Sequence, residues 1–316
     1  MLNKLYKLIK KSFLIIILLM SAFISILPIR VLFKIDKVNS LIVVLIYVLL
    51  IFLLYKIINK INMDKKYRSF IFVTLIIITG ILLRVITNYV MKTEPVSDFA
   101  TPHIVYNLKN TGIFDERELS KDNSFYQVYY SMFPSWFPYM QIVSLIYNIF
   151  GENVLNIKII NWMLYAFTSI VLYYACKNSF SKKSAILAVL LFAFLPSHII
   201  YSNITTPDHF SIFFITLWLL IWSKQIEYRK KCNYKKLVIY SILNIACTCA
   251  INLFKPLSIF GILVFICAEI LCFSDCFIKR ESRNKFYLKK FLYCFGFIII
   301  CFISLNIENK ILYNVV

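Results

Sequence analysis

The sequence predicts an all-α polytopic membrane protein with about nine transmembrane helices. A large first extracytoplasmic loop carrying interfacial helices is expected between the third and fourth of them. Three observations lead there. Of the 316 residues, 60% are apolar and 17% aromatic, and the mean hydropathy is +0.76, more than a soluble domain can bury. The apolar residues come in runs near the ~20 residues that cross a bilayer. The formal charge of +20 falls mostly in short Lys and Arg clusters between those runs, as cytoplasmic loops do.

The first span, roughly 13–33, follows Lys4, Lys7, Lys10 and Lys11. Those lysines resemble the start of a signal peptide. The apolar run continues past Ile26 to Phe33 without a small-residue cleavage site, so it reads as a retained helix. Further spans are expected at roughly 39–58, 69–91, 155–176, 184–203, 208–223, 237–253, 257–277 and 290–308. Orientation follows from the charges. Lys56, Lys60, Lys65, Lys66 and Arg68 form one cluster, and Lys177, Lys182 and Lys183 another. A third runs from Lys224 to Lys236, and a fourth from Lys279 to Lys290. With the N-terminal lysines they share one side, which is then cytoplasmic together with the N-terminus; Arg30, Lys34 and Lys37 dissent.

The segment from Lys92 to about Asn153 is thereby extracytoplasmic. Its end is apolar but interrupted by Pro134 and Pro138, and the stretch from Tyr139 to Phe150 is too short to span. It reads as an interfacial helix. Nine cysteines all lie from Cys176 onward without zinc-type spacing and read as small apolar packing residues. Five glycines leave no nucleotide-cradling loop, and the distributed charge argues against nucleic acid.

Against this background a few polar residues stand out. Val96-Ser97-Asp98 puts a carboxylate at the membrane–water boundary just after the third span. A carboxylate in a partly dehydrated place can take a proton from an attacking hydroxyl, the role of a base in glycosyl transfer. The structural alternative is a cap on a short helix from Phe99 to Leu108. Asp208 and His209 begin the sixth span at the same level, where Thr206 or Asp208 would also cap that helix. Lys255 ends the seventh span against the positive-inside trend, fit either to hold a lipid phosphate or to snorkel to head groups. Arg84 lies inside the third span, where an arginine faces a partner or a cavity; Glu94 is its expected partner. His103, His198 and His209 fall near the same face, but their spacing carries no ligand signature, so neither a metal nor another cofactor is expected.

The stretches "EPVSDF", "YYSMFPSWFPYMQIVSLIYNIFGENVLNIKIINW" and "LAVLLFAFLPSHIIYSNITTPDHFSIFFITLWLL" resemble membrane glycosyltransferases of the GT-C fold. The likeness is to the family-39 type, which includes protein O-mannosyltransferases and, more distantly, aminoarabinose transferases acting on lipid A. It covers roughly Thr93 to Ile221. The resemblance implies a catalytic Asp in the first external loop at Asp98, and a second acidic residue at Asp208. It implies a polyprenyl-phosphate sugar as donor, in agreement with the missing nucleotide loop. On this reading residues 1–68 supply two additional N-terminal helices, and 69–316 form a GT-C-like module with its extracytoplasmic loop at 92–153. Two departures matter. Asp98 is followed by Phe99 where protein mannosyltransferases have an Asp-Glu pair. The chain also ends after the ninth expected span, where relatives continue; a truncated or divided enzyme, with a partner chain supplying the C-terminal part, is one expectation.

The leading expectation is therefore an inverting glycosyltransferase of the cell membrane with an extracytoplasmic active site. Asp98 and Asp208 would be its catalytic residues, and Lys255, Arg84, His209 and Glu94 would hold substrate or phosphate. Its partners would be the lipid-linked donor, membrane lipids and an acceptor that is a wall polymer, a lipid or a protein. The competing readings are a flippase for a lipid-linked sugar, which broken helices would favour, and an inactive partial membrane partner.

Overall fold

The structure, a computed structural model, describes residues 66–91, 94–95, 136–230 and 234–257. It also describes single positions or short pieces at 49, 52, 56, 103, 106, 296, 299–300, 303–307 and 310. The chain divides into two compact units, one of Met1–Ile61 with Ile262–Gly296 and one of Asn62–Gly261 with Phe297–Val316. All the helices below belong to the second. Asp98 and most of the loop around it lie outside the described residues, as do most of the expected first, second, eighth and ninth spans.

Every regular element among the described residues is an α-helix: α1 (Lys66–Met91), α2 (Trp136–Phe150), α3 (Val154–Ser179), α4 (Lys182–Phe194), α5 (Pro196–Tyr201), α6 (Asp208–Lys230) and α7 (Tyr234–Phe254). Among the described residues, four stretches are long and apolar enough to cross a membrane: Tyr67–Met91, Val154–Ser179, Asp208–Tyr228 and Lys235–Phe254. α7 packs along α6, α6 along α3, and α3 against α4 and α1, which also touch each other.

α2 is the short helix expected over Tyr139 to Phe150, beginning three residues earlier, at Trp136. Its 15 residues extend only about 22 Å at 1.5 Å per residue, less than the ~30 Å hydrocarbon core. It ends at Gly151, whose φ of 85° is the left-handed conformation a helix C-terminus commonly uses, and whose N–H reaches the Tyr147 carbonyl at 2.9 Å. Asn153 then caps α3, its side chain accepting from Leu155 N at 2.8 Å. Asn156 Nδ2 donates back to the Gly151 carbonyl at 2.9 Å, so the corner is closed within five residues.

The fifth span, expected as one helix over 184–203, is two helices. Leu195 takes φ −64°, ψ 113° because a residue before proline is pushed out of the α region, and Pro196 then opens α5. α4 alone has 13 residues. The sixth span runs to Lys230 rather than 223. Its polar tail stays helical because Lys224 and Glu227 pair at 2.9 Å one turn apart, and because Gln225 points inward. There Gln225 donates to Ser241 Oγ at 3.0 Å and accepts from Asn244 Nδ2 at 3.3 Å, joining α6 to α7.

Arg68 near the start of α1, Lys177 near the end of α3, Lys182 and Lys183 at the start of α4, Lys224 in α6 and Lys235 and Lys236 in α7 all fall at one end of the bundle. The corner at 151–153, the α5 segment, the start of α6 and the end of α7 form the other.

Candidate functional site

At this second end Asp208 opens α6 and Lys255 follows the last turn of α7. The two are 47 residues apart in sequence and form an ion pair, Lys255 Nζ to Asp208 Oδ1. Thr206 Oγ1 donates to the other carboxylate oxygen, Oδ2, and accepts from Asp208 N at 3.4 Å. Thr206 is thus the cap foreseen as the structural alternative, and Asp208 is held on both oxygens. The pair stays accessible: the Lys255 side chain is 44% exposed and that of Asp208 27%. Pro256 and the Lys255 N–H to Ile251 carbonyl bond of 2.9 Å fix the end of α7 where the pair forms.

α2 lies across the start of α3 and the end of α7. Its buried face, Tyr139, Val143, Ile146 and Tyr147, joins Ile157 of α3 and Phe254 of α7, with Phe210 and Phe214 of α6 packed alongside. Phe254 stacks on Phe210 at 4.9 Å between centroids, and Tyr139 meets Phe210 edge-on at 6.1 Å. His103 and Tyr106 come onto this cluster from the loop segment. Tyr147 is hydrogen-bonded to His103 Nδ1, and the Tyr106 hydroxyl donates to Asn148 Oδ1 at 3.2 Å. Burial pushes the His103 imidazole down to about 4, so it is neutral at pH 7. Burial also pushes the phenols of Tyr139 and Tyr147 up, with Tyr147 and Asp208 adding to the effect at Tyr139. These hydroxyls keep their protons and do not act as bases, and that of Tyr147 faces His103 Nδ1.

Arg84 is fully buried, as expected of an inward-facing intramembrane arginine. Its guanidinium lies 3.5 Å from the centroid of Tyr165. One terminal nitrogen donates to the Gly80 carbonyl at 2.8 Å and to Ala193 O at 3.3 Å, and the other to His198 Nδ1 at 2.9 Å. A charge at a helix centre costs about 2.5–3.5 kcal/mol on insertion scales. The three hydrogen bonds to the guanidinium offset that cost. No carboxylate among the described residues comes within ion-pair distance of Arg84. Glu94, its expected partner, is exposed and exerts its field on Lys158. His209 is buried edge-on to His198, with ring centroids 5.2 Å apart.

The matched profile of one protein family, described as dolichyl-phosphate-mannose-protein mannosyltransferase, covers residues 134–305. That is more than half of the chain. The chain belongs to this family. Neither a curated protein nor a solved structure matches it. The mannosyltransferase family is one of membrane glycosyltransferases of GT-C type, and the multi-pass helical architecture agrees with it. Within the mannosyltransferase profile fall α2 to α7, the Asp208–Lys255 pair and, apart from His103 and Tyr106, the aromatic cluster beneath α2. Arg84 and Asp98 precede it.

Sequence reasoning did not single out Lys158, Asn88, Tyr165 or Gly80. Lys158 is buried in α3 and donates to Asn88 Oδ1 of α1 at 2.8 Å. The rule that marked Arg84, a charge within an apolar run, applies equally to Lys158. Tyr165 carries no such mark, since aromatic residues are common throughout this sequence.

Proposed function

We propose that the protein transfers a sugar, mannose by its family, from a polyprenyl-phosphate donor to a hydroxyl of an extracytoplasmic acceptor, with inversion. The acceptor oxygen attacks the anomeric carbon as the carboxylate of Asp98 takes its proton. The anomeric carbon–oxygen bond to phosphate breaks, and the electron pair leaves with the lipid phosphate. Lys255 meets the charge that grows on that phosphate, and Asp208, with His209 beside it, fixes where the ammonium sits. Glu94, exposed beyond the last turn of α1, would hold substrate at that end. The observation that carries this reading is the accessible Asp208–Lys255 pair inside the matched region, beside an aromatic cluster suited to packing against a sugar or isoprenoid.

The test is transfer of radiolabelled mannose from polyprenyl-phosphate mannose in membranes with and without this protein. Protein-dependent product is expected, together with its loss by ~10²–10⁴-fold in Asp98→Asn while donor binding survives. Inserted protein that transfers no sugar would sink the reading, and full activity of Asp98→Asn would remove Asp98 from it.

One observation favours a second reading, a flippase for a lipid-linked sugar: the break between α4 and α5, since interrupted helices recur in transporters. Movement of a labelled lipid-linked sugar across vesicles, undiminished in Asp98→Asn, would decide for it.

A further inference from the structure

We infer that Arg84 is a positioning residue that pins the broken fifth span and, through it, sets the place of Asp208. The argument starts from the break. Where a helix is interrupted at membrane depth, its freed carbonyls need donors other than water. Arg84 supplies one to Ala193 O, the last turn of α4, and with its other arm reaches His198 in the first turn of α5. Because arginine carries no acceptor, His198 Nδ1 is the acceptor there and its proton sits on Nε2. A planar fork can bridge both sides of the break at once, which the single ammonium of a lysine does less well.

The side-chain contact continues toward Asp208 through the histidines, and the backbone of the same turn of α1 holds the loop as well. The His198 ring meets the ring of His209, the neighbour of Asp208. The backbone carbonyl of Arg84 accepts from Asn203 Nδ2 at 3.2 Å, and Asn203 Oδ1 accepts from Trp162 Nε1 at 3.0 Å. Asn161 Nδ2 donates to the Ile204 carbonyl at 3.0 Å. The loop that ends in Thr206 and Asp208 is therefore held by α1 and α3, and Ser202, Asn203, Thr205 and Thr206 in it are all buried. Gly80 completes the arrangement. A Cβ there would stand 2.0 Å from the Tyr165 hydroxyl, so glycine is what lets the ring under the guanidinium fit.

This inference rests on the transferase reading only for the role of Asp208. It differs from direct contact between Arg84 and the donor phosphate, and a double-mutant cycle separates the two. Mannosyl transfer is measured for Arg84→Met, Asp208→Asn and the double variant, each normalised to inserted protein. Arg84→Met is expected to lose ~10–100-fold, the scale of a misplaced catalytic group, with the same division between KM and kcat as Asp208→Asn. The double variant should lose no more than about twofold beyond Asp208→Asn alone. Arg84→Lys should recover part of the loss. Losses that multiply, or an unimpaired Arg84→Met, would overturn the inference; if Arg84→Met does not insert, Arg84→Lys takes its place in the cycle.

A readout independent of activity is Thr205→Cys in a background with the native cysteines replaced. Its buried thiol should react with a small maleimide about tenfold faster once Arg84 is Met, because the loop opens more often. If the wild type transfers no sugar, the functional reading fails, and this labelling still judges the inference: an unchanged rate would refute it.

Discussion

An ammonium held by a carboxylate keeps its charge but commits one of its three donors. Lys255 therefore presents a fixed point charge with donors to spare, and its side chain is partly exposed, as the proposed contact with a ligand phosphate requires. Lys255→Arg should keep part of the transfer activity and Lys255→Met very little, with the loss appearing in donor affinity. Unchanged binding of polyprenyl-phosphate mannose by the Met variant would show that Lys255 does not touch the phosphate. His103 gives a prediction in pH. Its ordinary value of 6.5 is lowered to about 4 in the fold, so the unfolded chain binds a proton that the folded one refuses. The contribution is complete above pH 6.5, falls as pH drops from there to about 4, and is gone below. Thermal unfolding in detergent should therefore lose stability more steeply over that window for the wild type than for His103→Leu; parallel curves would contradict it. Arg84, Asp208, His209 and Lys255 were legible in the sequence because each is a polar residue set in or beside an apolar run. Their partners were not, since Arg84 meets residues 109 and 114 positions away and nothing local encodes such distances.

Among the described residues, four long helices were legible from apolar runs near the length of a span, and α2 was legible from its shortness and its prolines. The break at Leu195 was written in Pro196, but the continuous hydropathy around it outweighed one residue. The tail of α6 was read as loop because its charges look solvated; the inward Gln225 is what keeps it in the helix pair. Two substitutions test these elements. An alanine in place of a mid-helix glycine should stabilise by roughly 1 kcal/mol from propensity alone. At Gly80 the sign should reverse, to a loss of about 1–3 kcal/mol, because the new methyl overlaps Tyr165. A more stable Gly80→Ala would mean that the ring gives way freely. Gln225→Leu keeps the volume but removes the bonds to Ser241 and Asn244. Equilibrium unfolding in mixed micelles should show about 0.6 kcal/mol lost, and at most about 1.7, the range of such interhelical bonds in membranes.

Among the described residues, the helix order puts Arg68, Lys177, Lys182, Lys183, Lys224, Lys235 and Lys236 at one end of the bundle and the Asp208–Lys255 pair at the other. The positive-inside rule predicts that the basic end faces the cytoplasm and the pair faces out. A cysteine at Asp115 should then react with an impermeant thiol reagent added to intact cells, while one at Lys231 should not. Labelling at Lys231 from outside would invert the arrangement. Which helices pack together could not be read from composition, because every span offers a similar apolar surface to lipid and to its neighbours. The choice is made by sparse polar contacts such as Lys158 to Asn88 and Trp162 to Asn203, which acquire meaning only once the chain is folded.

The buried arginine also has a history during synthesis. α1 leaves the ribosome well before the residues that satisfy Arg84; Ala193 and His198 follow 109 and 114 positions later. At about 5–20 residues per second that interval is roughly 5–20 s, long compared with the time a helix needs to form. Through it nascent α1 holds a cation without its distant partners, in the half nearer Met91, so it should sit displaced toward the water at that end or stay beside the insertion machinery. Nascent chains arrested near residue 170 and probed by cysteine accessibility along 80–91 should show that displacement, and chains arrested beyond residue 260 should not. Equal accessibility in both would mean that α1 reaches its final depth without its partners.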